Sequence, residues 1–179
     1  MFRIKLTSIK EDLIVIFIIV FFLSWGLVFY YNSSIEQIYK DKGEILEIIP
    51  LDKSKIVLFE KDSEKGIKTL HANYIKKTPI GWRKFRSSEF GFSYNKTKID
   101  NSPPYAAIFE EESCLLTYGY VDSNVDKVVM ILDKLQLSYK VDNVKRYWYF
   151  LIPKDCSNFK TREFYFLLKD GSKYYPHKH

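Results

Sequence analysis

Three patterns of apolar and polar positions follow one another along the chain. From Leu13 to Tyr31, nineteen residues pass without a charge, and fourteen of them are Ile, Leu, Val or Phe. Such a run predicts a helix of about 28 Å, close to the hydrocarbon thickness of a bilayer. It has no polar face, which the core helix of a soluble domain would keep. Only Ser24 and Gly26 interrupt it, and both residue types are common in membrane helices. Tyr30, Tyr31 and Trp25 suit the headgroup level, where amphipathic rings collect.

A helical rhythm comes next. Ser33 and Ser34 stand three residues before Glu36 and Gln37, two overlapping capping boxes. Ile35, Ile38, Tyr39, Ile45, Leu46 and Ile49 then recur at helical spacing, predicting an amphipathic juxtamembrane helix that runs to about Ile48. Gly43 strains that helix and Pro50 stops it. From Lys55 onward the pattern changes to short β-rich runs separated by turns. "KIVLFE", "IKTLHANY", "GWRKFRS", "EFGFSY", "YAAIFE", "SCLLTYGYV", "KRYWYFLIP" and "REFYFLLK" read as strands. Asn95–Pro104 is a loop, because Pro103-Pro104 cannot join a central strand. Residues 123–137 fit helix and strand alike; their β-branched residues and flanking strands favour strand. Asp170-Gly171 predicts a type I′ turn onto "SKYY".

The expected class is therefore mainly β (β-rich α+β). A tail (1–12), a transmembrane helix (13–31) and a juxtamembrane helix (32–50) precede an antiparallel β domain (51–179). Orientation follows from Lys and Arg near the span. The tail carries Arg3, Lys5 and Lys10, against Lys40 and Lys42 on the other side, which places the tail in the cytoplasm and the domain outside. A cleaved signal peptide is the rival. Its only candidate cleavage site, Ser24-Trp25-Gly26, would leave an apolar mature end. No Cys follows the run for lipid attachment. Two cysteines, Cys114 and Cys156, are either a disulfide of an oxidising compartment or two buried thiols.

Charge changes the picture little. The chain has 28 basic and 22 acidic residues, a formal net charge of +6. Its richness in Ile, Lys, Asn, Tyr and Phe beside only three Ala fits AT-rich codon usage. One cluster combines cations with an aromatic: Lys76 and Lys77 with Arg83, Lys84 and Arg86 around Trp82. These residues are a candidate patch for an anionic partner, membrane lipid or wall polymer. Solvated lysines around a buried Trp82 explain the same pattern. Nucleic acid is not an expected partner outside the membrane.

Chemistry is sparse. His71 is the only interior histidine, and His177 and His179 lie in the terminal "HKH". No Gly-x-Ser-x-Gly, His-Glu-x-x-His or Cys-x-x-Cys occurs. Asp122, Asn124, Asp126 and Asp133 match calcium-loop positions, but Lys127 stands where the sharp turn needs Gly. Glu110 and Glu112 would share a strand face and could serve as paired acids, although three acids between strands more simply mark a solvated hairpin tip. No catalytic residue, metal or cofactor is expected.

"GWRKF" (Gly81–Phe85), "TYGYVDSNVDKVVMIL" (Thr117–Leu132), "RYWYFLIP" (Arg146–Pro153) and "LKDGSKYY" form a layout that resembles small anchored or lipid-modified proteins of spore-forming Gram-positive bacteria, of unknown function. The resemblance implies a shared β fold, with an immunoglobulin-like sandwich as one form, and no activity. The leading expectation is a non-enzymatic binding or sensing module at the cell membrane, whose partner is lipid, an anionic wall polymer or another membrane protein. A pilin-like structural subunit is the alternative, although Lys10-Glu11-Asp12 is too charged for a filament spine. A hydrolase of wall or lipid rests on the acidic triplet and His71 alone.

Overall fold

The computed structural model describes residues 6–62, 67–87, 92–95, 105–109, 114–133, 135–153 and 161–176. Helix α1 spans Leu6–Tyr31. The window Asp12–Tyr31 is long and apolar enough to cross a membrane, and none of it is buried against the rest of the chain. Ser33 closes α1 by donating its hydroxyl to the Tyr30 carbonyl at 2.7 Å. Ser34 opens α2, Ile35–Tyr39, by accepting the Gln37 N–H at 3.1 Å, as a capping serine should.

Among the described residues twelve strands follow: β1 Glu44–Pro50, β2 Ser54–Asp62, β3 Ile67–Thr78, β4 Gly81–Ser87, β5 Phe92–Asn95, β6 Tyr105–Phe109, β7 Cys114–Tyr120, β8 Val125–Leu132, β9 Gln136–Lys140, β10 Tyr147–Pro153, β11 Thr161–Leu168 and β12 Lys173–Tyr174. They make three antiparallel sheets. Sheet A has the order β1-β2-β3-β4, with β5 pairing the first part of long β3 and β4 its last part. Sheet B is β10-β7-β6 and sheet C is β12-β11-β8-β9.

The cores show the stacking. Ile56, Leu58, Leu70, Ala72 and Tyr74 of sheet A meet Cys114, Leu116, Tyr118, Tyr120 and Tyr147 of sheet B. The other face of sheet B, with Trp148, Phe150 and Ile152, meets Val125, Val128, Met130, Phe164 and Phe166 of sheet C. Sheet B is thus buried on both faces, which is why "CLLTYGY" and "YWYFLIP" lack the alternation of a half-exposed strand. The outer face of sheet A is covered by α2, whose Ile35 and Tyr39 pack on Val57, Phe59 and Ile75. Among the described residues the chain crosses between sheets B and C at two adjoining corners, 121–124 and 141–146. There the Val121 N–H donates to the Arg146 carbonyl, and Arg146 has a φ of 52°, the one positive φ outside glycine among the described residues.

The mainly β class stands, and residues 123–137 contain strands β8 and β9 rather than a helix. Three expectations change. The amphipathic helix of 32–50 ends at Tyr39, and the sheet domain starts at Glu44 rather than residue 51. Gly43 explains the break: its φ is 149°, and a Cβ there would lie 1.9 Å from the Glu60 carbonyl oxygen. Beyond it, "EILEII" is apolar enough to satisfy either period, and pairing with β2 decides for strand. The turn at Asp170-Gly171 is not type I′. The Gly171 N–H returns to the Leu168 carbonyl, and Leu168 N–H to Ser172 O. Gly171 has positive φ while Asp170 does not, which gives a three-residue loop with a glycine bulge. Finally, the immunoglobulin-like form is not confirmed. That form has two facing sheets, whereas here three are stacked.

Candidate functional site

The β3–β4 hairpin carries the cationic cluster. Its turn is fixed by Gly81, which pairs with Thr78 and whose carbonyl accepts the Thr78 hydroxyl at 2.8 Å. Gly81 has a φ of 101° and lies so close to Asn32 that a Cβ would come within 2.2 Å of the Asn32 carbonyl oxygen. That same oxygen accepts the Trp82 N–H at 2.7 Å. The hairpin turn is therefore bonded to the first residue after α1.

Antiparallel register sets the cations side by side. Lys76 lies opposite Arg83, Lys77 opposite Trp82 and Ile75 opposite Lys84, while a bulge at Phe85 brings Arg86 opposite Tyr74. Lys76, Lys77, Arg83, Lys84 and Arg86 are all exposed. Two further lysines, at and just before the start of β2, lie at the same end of the sheet. Lys55 sits with its Nζ 5.0 Å from the centre of the half-buried Trp82 ring, a cation–π contact. Lys53 lies in the β1–β2 turn. The acid Asp52 lies in the same turn. Neither Lys76, Lys77, Arg83 nor Lys84 joins an ion pair among the described residues, where the salt bridges are those of Lys68 with Glu44 and Glu60. The register puts the predicted five residues on one hairpin, with Lys77 and Lys84 on the face that carries Ile75 and Lys76, Arg83 and Arg86 on the face that carries Tyr74. Lys53, Lys55 and Asn32 were missed because long-range pairing places them there.

His71 stacks on Phe59 at 5.3 Å, and its Nε2 lies 2.8 Å from the Thr69 hydroxyl. Burial, with Lys61 and Lys84 adding repulsion, lowers its pKa and favours the neutral ring. Both contacts serve packing. Asp122 spends its side chain on the Ser123 N–H at 2.6 Å, and the carbonyls of Asn124 and Asp126 accept the Lys169 and Val141 N–H groups. The expected loop is a turn between sheets B and C. Glu110–Glu112, His177, His179 and Cys156 lie outside the described residues. Cys114 is buried facing sheet A.

A second polar cluster had no linear signal. Edge strands of all three sheets bring Glu47, Tyr139, Tyr147 and Tyr149 together. Tyr147 donates to the Glu47 carboxylate at 2.7 Å, with the Leu46 carbonyl 3.2 Å away, and the rings of Tyr139 and Tyr149 are 5.4 Å apart. Burial and the neighbouring Tyr149 and Glu47 charges push the Tyr139 phenol up to about 12. Burial and the Glu47 bond push Tyr147 further up. These hydroxyls stay protonated and act as donors.

The architecture defines a mainly β protein of three stacked antiparallel sheets with one amino-terminal apolar helix. No family model, no curated protein and no solved structure matches the chain.

Proposed function

We propose that the protein is a single-pass, membrane-anchored module whose β domain faces the outside of the cell and binds or senses a partner there without catalysing a reaction. One observation carries this reading. From Leu13 to Tyr31 helix α1 is apolar on every side, none of its long apolar window is covered by the domain, and it leads directly into the domain through the Asn32–Trp82 bond. A helix with an exposed apolar surface of that length needs lipid around it. The engagement of His71 in packing supports a non-enzymatic role. The orientation rests on Arg3, Lys5 and Lys10 in the tail. Lys76, Lys77 and Arg83 come close to the helix end only after folding, so they do not enter the insertion-stage rule, which counts charges close to the span in sequence.

Protease treatment of intact cells tests it. The expected result is loss of the domain with an amino-terminal fragment retained in the membrane pellet. Recovery of the unprocessed chain in a detergent-free soluble fraction, or protection of the domain until cells are broken, would overturn anchor or orientation respectively.

A further inference from the structure

We infer that the β3–β4 end of sheet A rests on the phosphates of anionic lipid headgroups surrounding α1, so that the domain is docked on the membrane and not merely tethered to it. The inference builds on the reading that α1 spans the bilayer, and it holds whichever side the domain occupies.

Placement is the first support. Apolar α1 runs to Tyr31, and the next residue, Asn32, accepts the Trp82 N–H. The hairpin turn is therefore at headgroup depth whenever the helix is inserted. Lys77 pairs with Trp82, and Lys76 with Arg83, two residues from the turn. At the strand rise this puts Lys76 and Arg83 about 7 Å from the helix end, within one Debye length of the lipid surface.

Charge is the second. Lys53, Lys55, Lys76, Lys77, Arg83 and Lys84 lie at this end of the sheet, with Asp52 in the adjoining turn. No salt bridge among the described residues neutralises the exposed Lys76, Lys77, Arg83 or Lys84. A cationic surface held beside a plane of phosphates gains from every neighbouring headgroup, and helix insertion has already met the cost of bringing the two together.

The test uses the full-length chain in vesicles of phosphatidylcholine alone or mixed with phosphatidylglycerol. Lysine acetylation rates are read by mass spectrometry, and flotation reports insertion. Lys76, Lys77 and Lys84 should react about threefold more slowly or less in the anionic vesicles, and the difference should close in about 0.5 M salt. Lys42 and Lys61, towards the other end of sheet A, should not change, which also reports an intact fold. Lys76→Gln with Arg83→Gln should abolish the slowing at Lys77 and Lys84. Equal rates in both vesicles for a chain that floats would overturn docking and leave the anchor standing. Slowing produced by soluble polyphosphate in neutral vesicles, but not by the anionic lipid, would overturn lipid as the occupant. A chain that floats with neither vesicle removes the anchor reading and the inference with it.

Discussion

Towards sheet C the central sheet presents Trp148, Phe150 and Ile152, whereas towards sheet A it presents Tyr118, Tyr120 and Tyr147. The first face is sealed by rings and aliphatics. Trp148 lies 5.4–5.5 Å from Phe150 and Phe164 and covers Gly119, and its Nε1 has no hydrogen-bond partner among the described residues. The second face adds to its aliphatics two phenols tied to carboxylates. Tyr120 donates to the buried Glu60, which also pairs with Lys68, and Tyr147 donates to Glu47. Apolar contact rewards area and tolerates small shifts, whereas these bonds require one geometry. The sheet bonded to the apolar helix is thus joined to the rest partly by contacts that specify register, and sheet C by contacts that supply bulk.

The largest expected effect falls on the apolar side. Trp148→Ala should cost about 3–5 kcal/mol, because a fully buried indole leaves a cavity between two sheets. Urea unfolding followed by far-ultraviolet circular dichroism measures it, and the loss should be the same at pH 6 and pH 9 within about 0.5 kcal/mol, since no titrating group enters the contact. A cost below about 1 kcal/mol would show that this face is not the bulk-supplying one.

Glu60→Ala addresses the polar side and should cost about 3 kcal/mol, because it removes the buried carboxylate that both Lys68 and the Tyr120 hydroxyl bond. With Lys68→Met already present, the same substitution should cost roughly half as much, the signature of a coupled pair in a double-mutant cycle. Equal costs in both backgrounds would mean that the Glu60–Lys68 contact carries no coupling, and the distinction between the two faces would weaken.

The apolar side was legible in the sequence and the polar side was not. "YWYFLIP" and "CLLTYGY" announce strands by composition, and their continuous apolarity is the mark of burial on both faces. Glu60 and Tyr120 lie sixty residues apart, and Glu47 and Tyr147 one hundred, so no local spacing brings them together. Much of the cationic hairpin was readable, since Lys76 and Arg83 flank one short turn. Its link to α1 through Asn32 was hidden, because a backbone carbonyl has no sequence signature. The strand read as helix, Glu44–Pro50, shows why apolar runs mislead. Ile45, Ile48 and Ile49 fit either period, and only the Gly43 backbone and the β2 edge choose.

Tyr147→Phe is the mildest change and the most diagnostic. At neutral pH it removes one hydrogen bond to a half-buried carboxylate and should cost about 1 kcal/mol. Alkali separates it from a simple packing defect. Folding raises the Tyr147 and Tyr139 phenols above their ordinary value of 10.0, through burial first and the nearby acid and phenols second. The folded chain therefore holds more protons than the unfolded chain once pH passes about 10, and stability falls as pH rises from there towards the folded values. The full contribution is present below pH 10. Removing the Tyr147 hydroxyl should flatten that fall and move the alkaline unfolding midpoint upward, even though the variant is weaker at pH 7. Trp148→Ala should leave the slope unchanged. If both variants lose stability with pH in parallel with the parent, the phenol–carboxylate edge does not set the alkaline limit, and the two faces of the central sheet differ in composition alone.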